Sequence, residues 1–260
     1  MPGRILMVLA ILTGRLTVVS SPLPGGLFHY LFLFLASAGC LLFLSGPLRY
    51  DPILSVAGSG LVALCVATAT LTAHVVGLAG ADADKLQSQL RDVLKNIACM
   101  GGFIAVFGYD LPKISTSPGS RAACLRPLQR HAGVFLALGH ILVALVFLLA
   151  GSMLRIQGFV NIARWRKYPA PALMGFMAFL FTAGGSVCLI VGALAQLPLP
   201  LCAGDKACAI VLCIATYSGH WVELSNSSGD QHAEHCRALM KNLSIIGALL
   251  TMLSIDILGL

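Results

Sequence analysis

Two stretches in different halves of the chain carry basic and amide residues at the same spacing. LRDVLKNIACMGG begins at Leu90, and CRALMKNLSIIGA begins at Cys236. Each contains an arginine, a lysine four residues later and an asparagine directly after the lysine: Arg91, Lys95 and Asn96 in the first, Arg237, Lys241 and Asn242 in the second. Because side chains four residues apart share one face of a helix, each Arg–Lys pair is predicted to project from one side of its helix.

These residue types favour contact with an anion. Each pair stands at the predicted amino end of an apolar helix, where the helix dipole is already positive. Two cations at that end favour a phospholipid headgroup, a carboxylate of a ligand or cargo, or an acidic side chain nearby. The alternative is that the lysines extend to lipid phosphates while Asn96 and Asn242 cap their helices.

Histidines and aspartates recur in step with the lysines. His74 and His220 each precede a lysine by 21 residues, and Asp110 and Asp256 each follow one by 15 residues. Histidine is a common proton carrier and metal ligand. No cluster of carboxylates or thiolates recurs with the two histidines, however. We therefore predict polar structural or functional positions here, without a metal or another cofactor.

Other histidines give weaker indications of chemistry. The stretch QHAEHC has three candidate metal ligands, His232, His235 and Cys236. The aligned residues of the other half are not ligands, and one short cluster is not a complete ligand set. No metal is therefore predicted there. His140 stands alone among apolar residues and is predicted to form a hydrogen bond between two helices.

The sequence gives no indication of catalysis. It contains no phosphate-binding glycine loop, no nucleophile elbow and no repeated pair of carboxylates within apolar segments. We therefore predict no catalytic residues, and the composition favours a protein that is not an enzyme. Cys202 and Cys208 flank CAGDKAC, a predicted loop. A disulfide between them requires this loop to face an oxidising compartment.

The composition indicates an integral membrane protein. Of the 260 residues, 58% are hydrophobic and 10% are charged, whereas a soluble domain carries about 25% charged residues. The uncharged segments are 16–48, 52–81, 132–154, 170–204 and 207–222. The net charge of +7 does not indicate nucleic-acid binding, because the basic residues stand in short loops where they meet lipid phosphates.

We predict an all-α polytopic protein with eight transmembrane helices in two repeats. The predicted helices span 4–19, 28–45, 53–76 and 93–109 in the first repeat (1–112), and 131–154, 171–195, 207–221 and 239–258 in the second (131–260). A linker (113–130) joins the repeats. Because each repeat has an even number of helices, the two insert the same way up, as parallel repeats.

Two surface features accompany the second repeat. A segment at the membrane interface is predicted from a tryptophan among basic residues, which suits the headgroup region. Its residues are Arg164, Trp165, Arg166 and Lys167. Asn226 begins an Asn-Ser-Ser acceptor sequence and is a glycosylation site if its loop faces the lumen.

The order of motifs in the second half resembles the DoxX family of four-helix membrane units, whose last helix contains K-N-x-x-x-x-G. These motifs are FLLAGSMLRIQGF, YPAPALMGFMAFLFTAGGSVCLIVG, VLCIATYSGHWV and RALMKNLSIIGALL. The tandem arrangement, with SAGCLLFLSG and LRDVLKNIACMGG in the first half, is similar to the surfeit-locus cargo receptors of the eukaryotic secretory pathway.

The resemblance to the cargo receptors implies a trafficking factor of the endoplasmic reticulum or Golgi membrane. It would bind extended peptide segments of soluble cargo in a crevice between the repeats, without a cofactor. The DoxX branch implies an alternative, a membrane subunit of an oxidoreductase or another complex, in a mitochondrial or other organelle membrane. Thr182-Ala183 replaces the acidic residue common in the second DoxX helix, which weakens that alternative. A small-solute or lipid transporter is a third hypothesis.

Overall fold

A computed structural model describes residues 1–12, 26–75, 83–114 and 123–258. Helix accounts for 92% of the structure, and the described residues contain no strand. The long helical segments are α1 (Pro2–Leu12), α2 (Gly26–Arg49), α3 (Pro52–Ala69, continued by Thr70–Val75), α4 (Ala83–Asp110), α5 (Ala132–Trp165), α6 (Pro171–Ala195), α7 (Pro198–Leu224) and α8 (Gly229–Leu258). Short helical turns between α4 and α5 are Leu111–Lys113, Ala123–Leu125 and Arg126–Gln129.

Six of the described helices are long and apolar enough to cross a membrane. They are α2, from Leu31 to Arg49, then α3, α5, α6, α7 and α8. A helix of about 20 apolar residues spans the hydrocarbon core of a bilayer. The prediction of an all-α polytopic membrane protein is therefore confirmed. The predicted end of the first helix lies outside the described residues.

The amino ends of α4 and α8 lie earlier in the chain than predicted. Helix α4 begins at Ala83 rather than at residue 93, and α8 begins at Gly229 rather than at residue 239. The first three turns of each helix are polar, and the prediction assigned their charges to loops. Asn96 and Asn242 therefore lie inside helices, so both the proposed caps and the proposed interaction with the helix dipole are wrong.

Helix α7 also begins earlier than predicted, at Pro198 rather than at residue 207. Proline is favoured in the first turn of a helix, where its missing N–H has no acceptor to lose. The stretch CAGDKAC is consequently helical and not a loop. Cys202 and Cys208 are free thiols on one helix, separated by a rise of about 9 Å. A disulfide between them is excluded, since bridged Cα atoms lie within about 7 Å.

Other boundaries agree more closely. Helix α6 has the predicted range, Pro171–Ala195. Helix α5 extends past its predicted end to Trp165, and its one non-helical residue is Arg155, which has a φ of 52°. The predicted interfacial segment therefore continues the helix after a break. Trp165 in its last turn is 70% exposed, as expected for a residue of the headgroup region.

Small residues set the close helix contacts of the bundle. Helix α1 packs along α8, where a Cβ atom added at Gly3 would lie 2.4 Å from Thr251 Oγ1. Helix α5 packs along α4, where a Cβ atom at Gly139 would lie 2.6 Å from the Cβ atom of Ala105. Glycine lets helix backbones approach closely within a membrane, where packing drives association.

Helices α4 and α8 meet in the middle of the structure. A Cβ atom at Gly102 of α4 would lie 2.4 Å from the Cβ atom of Ala248 on α8. Next to this contact Phe43 and Phe103, both fully buried, pack edge to face with ring centroids 5.1 Å apart. The two charged stretches singled out in the sequence thus belong to two helices in contact.

Candidate functional site

The predicted basic residues of α4 and α8 come together at one end of the bundle. Lys241 lies on α8 and forms an ion pair with Asp92 of α4, with 2.7 Å between Nζ and Oδ1. The side chain of Lys241 is 7% exposed. Lys95 lies close enough for its charge to interact with that of Lys241, and it forms no ion pair with another described residue. Two neighbouring lysines therefore share one carboxylate, and one positive charge remains without a counterion among the described residues.

The two asparagines beside these lysines are buried without full hydrogen bonding. Asn96 is fully buried, and neither its Oδ1 nor its Nδ2 atom has a partner among the described residues. Asn242 is buried with its Oδ1 atom unpartnered. A buried polar group without a hydrogen bond costs about 1–3 kcal/mol. Such groups in native proteins indicate a water molecule, an ion or a ligand.

The arginines of the two stretches do not lie beside the lysines between the helices. Arg91 and Arg237 are exposed on the outside of α4 and α8, although the charge of Arg91 still interacts with that of Lys95. The structure thus separates each predicted Arg–Lys pair. The lysines lie between the helices, and the arginines remain accessible to headgroups.

Two histidines border the lysines. His220 and His235 face each other with 3.4 Å between their Nδ1 atoms, and the charge of Lys95 interacts with His220. His220 lies in the π-helical turn Tyr217–Trp221, and the backbone of His74 lies in the π-helical turn Thr70–Val75. Turns of this type occur frequently at functional sites.

The histidine side chains of the stretch QHAEHC do not point to one common site. The Nδ1 atom of His232 lies 3.1 Å from the carbonyl oxygen of Leu224, whereas His235 contacts His220.

The predicted interfacial segment lies at the end of α5. There Arg166 forms an ion pair with Glu223, and its Cζ atom lies 4.2 Å from the centroid of the Trp165 ring. Arg164, Lys167 and Asn226 are exposed.

The opposite end of the bundle contains a buried ion-pair cluster around Asp110. Arg4 Nη2 and Lys113 Nζ each lie 2.7 Å from a carboxylate oxygen of Asp110. Ser55 donates a hydrogen bond to the same carboxylate and accepts one from Arg4. The carboxylate therefore has permanent cations as partners, and the cluster ties α1, α3 and α4 together.

A second polar cluster at this end consists of His140, Asp205 and Asp256, from α5, α7 and α8. One ligand atom from each lies within 4.8 Å of the others, and all three residues are buried. The Nε2 atom of His140 lies 3.2 Å from Asp256 Oδ2, so the predicted hydrogen bond between helices is confirmed. Both carboxylate oxygens of Asp205 lack a hydrogen-bond partner among the described residues.

Sequence reasoning missed Asp205 because it assigned this residue to a loop. Its neighbours on the buried face of α7 are Leu201, Cys202, Cys208 and Ala209. These residues recur with the period of a helix, at i, i+1, i+4, i+7 and i+8 when Asp205 is included. This signal was present in the sequence and marks Asp205 as the one charged residue of an inward face.

The fold and the two polar ends define an all-helical polytopic membrane protein with buried ionisable groups. Comparison with protein-family models, curated proteins and solved structures finds no match to this chain.

Proposed function

We propose that the chain consists of two parallel four-helix repeats, which cross the membrane as eight helices. Equivalent contacts in the two halves support this arrangement, with Gly101 and Gly247 standing 146 residues apart and Gly3 and Gly139 standing 136 residues apart. A Cβ atom added at Gly101 would lie 2.8 Å from the carbonyl oxygen of Gly139, and one at Gly247 would lie 2.5 Å from that of Gly3. The last helix of each half thus packs against the first helix of the other half in the same way.

The contacts between the second and third helices of each half support the same proposal. A Cβ atom at Gly58 would lie 2.6 Å from the carbonyl oxygen of Gly39, and one at Gly204 would lie 2.7 Å from that of Gly185. Both residues of the second contact stand 146 positions after those of the first. A constant offset across several helices is expected for a duplicated unit and not for unrelated apolar helices.

We infer that the protein is a non-enzymatic membrane receptor for soluble cargo in the secretory pathway, resident in the endoplasmic reticulum or Golgi membrane. The observation that carries this proposal is the basic site between α4 and α8. There Lys95 lacks an ion-pair partner among the described residues, and the side chain of Asn96 is buried and unpartnered. An extended peptide supplies what these groups lack, an anionic carboxylate for the lysine and backbone groups for the amide.

Secretion measured in cells tests the receptor. Removing the protein should retain a subset of secreted proteins inside the cell, as quantified by mass spectrometry of the medium. Re-expression of the wild-type chain should restore their secretion, whereas Lys95→Gln/Lys241→Gln should not. Arg130→Gln, which removes an exposed cation elsewhere, is the matched control. If the lysine variant restores secretion fully, neither lysine is needed for cargo binding and the proposed site is wrong.

Localisation distinguishes the receptor from the oxidoreductase alternative. The receptor requires the chain in the endoplasmic reticulum or Golgi, with the exposed Asn226 on the lumenal side. A glycan that Asn226→Gln removes would support this topology. The oxidoreductase subunit requires co-purification with a soluble flavin or iron–sulfur protein. Residence in the mitochondrial inner membrane would exclude the receptor.

A small-solute transporter is the second candidate function. The cluster of His140, Asp205 and Asp256 favours it, because ionisable groups buried within membrane helices commonly belong to ion and proton pathways. Reconstituted vesicles that accumulate a solute in response to a cation gradient would support this function. The same preparation would show no flux if the chain is only a receptor.

A further inference from the structure

We propose that His140, Asp205 and Asp256 form a binding site for a divalent transition-metal ion of the Zn²⁺ class, buried in the second half of the bundle. The proposal is independent of the cargo-receptor function. It depends on the orientation of the imidazole, on the absence of partners for Asp205 among the described residues, and on a comparison with the cluster around Asp110.

The orientation of His140 directs one ring nitrogen at the carboxylates. Its Nδ1 atom lies 2.9 Å from the carbonyl oxygen of Leu136, and only a protonated nitrogen can donate to that acceptor. The other ring nitrogen, Nε2, faces Asp256 Oδ2, 3.2 Å away. A ring nitrogen and a carboxylate oxygen at this distance share a proton or a metal ion. Donation from the second nitrogen to a backbone carbonyl is also the usual way of orienting a metal-binding histidine.

Asp205 supplies a second carboxylate that nothing else uses. The residue is 0% exposed, and both its oxygens lack partners among the described residues. A buried carboxylate is ordinarily paired or bound to a metal. Its oxygen lies within 4.8 Å of the ligand atoms of His140 and Asp256, so it faces the same small volume. A divalent cation bound here would offset the charge of the two carboxylates.

The cluster around Asp110 shows what the equivalent position contains in the other half. Asp110 and Asp256 stand 146 residues apart, and a guanidinium occupies the place of the imidazole: Arg4 bonds Asp110 where His140 bonds Asp256. Lys113 adds a second permanent cation to Asp110. Neither cation has a counterpart within ion-pair distance of Asp256 among the described residues, and Asp205 adds a negative charge instead. The second half therefore has the ligand atoms of a cation site where the first half has Arg4 and Lys113.

The donor set and spacing suit a first-row metal. One imidazole and two carboxylates are ligands for Zn²⁺ and similar ions. Donor atoms of a tetrahedral zinc site lie about 3.3 Å from each other, given bonds of roughly 2.0–2.2 Å. Metal binding requires the observed spacing to close to this value, and the Asp205 side chain has no hydrogen bond among the described residues that would oppose such a shift. A fourth ligand is supplied by water or by the thiol of Cys202, which is buried one helical turn before Asp205.

Metal titration of the full-length protein tests the site. The purified chain in lipid nanodiscs is freed of metal with a chelator and titrated with Zn²⁺ against a chromophoric competitor. The wild type should bind one ion with these ligands. Asp205→Asn and His140→Gln should each weaken that binding more than about 100-fold, because losing even an outer partner of a ligand costs 10–100-fold. His235→Gln, at the other end of the bundle, is the matched control and should leave this ion bound.

Thermal unfolding of the same variants supplies a second measurement. Zn²⁺ should raise the melting temperature of the wild type and of His235→Gln, and it should not raise that of Asp205→Asn. If the variants fail to fold, Co²⁺ absorption and X-ray absorption of the loaded wild type decide the question, with one nitrogen and two carboxylate ligands expected.

Three outcomes would overturn the proposal. The first is wild-type protein without bound Zn²⁺ at micromolar concentrations, in which case the cluster carries protons only. The second is a bound ion that is lost in the His235→Gln variant and kept in the Asp205→Asn variant, which would place the ion at the other end of the bundle. The third is a metal spectrum without carboxylate ligands.

Discussion

Asp110 and Asp256 stand at the same place near the ends of α4 and α8, and their neighbours determine what each can do. The carboxylate of Asp110 is paired with Arg4 and Lys113. The carboxylate of Asp256 has an imidazole and a second carboxylate beside it. The first cluster therefore has its cations within the chain, whereas the second offers the ligand atoms of the proposed metal site.

Loss of Arg4 should destabilise the protein by about 3 kcal/mol, near the lower end of the range for breaking a buried ion pair. The side chains of Arg4 and Asp110 are 11% and 6% exposed, so Arg4→Met leaves a buried carboxylate with only Lys113 and Ser55. Adding Asp110→Leu should recover much of the loss, because no uncompensated charge then remains. Thermal and denaturant unfolding in detergent measure both effects.

The exposed Arg49 provides the control for this prediction. Arg49→Met should change the free energy of unfolding by less than about 0.5 kcal/mol, as surface substitutions ordinarily do. A loss in Arg4→Met no larger than that of Arg49→Met would mean that the buried pair contributes nothing to stability. A double variant as unstable as Arg4→Met alone would contradict the explanation by charge burial.

Asn96 should show opposite effects on stability and on function. Its amide atoms are buried without partners among the described residues, so Asn96→Leu should stabilise the ligand-free protein by about 1–2 kcal/mol. The same substitution should abolish cargo secretion, since the group that contacts the ligand is gone. Melting temperature and the secretion assay give the two values. A destabilised variant would show that Asn96 serves the fold through a bound water molecule.

At the scale of helices, glycines determine how closely neighbours pack. Helices α2 and α3 cross where a Cβ atom at Gly58 would lie 2.2 Å from the backbone nitrogen of Phe43. A backbone atom cannot move aside as a flexible side chain can, so α2 and α3 would have to separate. Gly60 stands two residues later, and its Cβ atom would make an ordinary 3.4 Å contact with the ring of Phe107.

Gly58→Ala and Gly60→Ala should therefore have effects of opposite sign. Alanine in a helix is favoured over glycine by up to about 1 kcal/mol, and Gly60→Ala should gain part of this. Gly58→Ala should lose about 1–3 kcal/mol through overpacking. Unfolding of the two variants in the same detergent measures the difference. Equal stabilities would show that α2 and α3 do not cross at Gly58.

The sequence predicted which segments are helical more accurately than it predicted where those helices begin. The range of α6 was predicted correctly, with Pro171 at its first residue and Pro198 shortly after its end. The beginnings of α4, α7 and α8 were wrong because charged residues inside helices were assigned to loops. Asp205 illustrates the physical reason. A buried charge is tolerated only where other helices supply partners, and a linear sequence does not show which helices those are.

At the scale of the whole molecule, the proposed duplication means that the first helix of each repeat packs against the last helix of the other. Helix α1 packs along α8, and α5 packs along α4, with Gly3 and Gly139 at the equivalent contacts. Ser244 of α8 also donates a hydrogen bond of 2.8 Å to the backbone carbonyl of Met7 in α1. Helix α1 therefore covers one face of α8, and α5 covers one face of α4.

Separately expressed halves should consequently assemble with each other and remain unstable alone. Fragments 1–122 and 123–260, each with a different affinity tag, should co-purify from membranes when expressed together. Each fragment expressed singly should aggregate or be degraded, because the faces of α4 and α8 that contact α5 and α1 are then uncovered.

Gly102→Leu should reduce recovery of the pair, since the side chain would enter the space occupied by Ala248. Gly219→Ala, where a Cβ atom meets nothing within 4 Å, should leave recovery unchanged. Two halves that are each monodisperse and do not associate would contradict this packing of the first helix of each repeat against the last helix of the other.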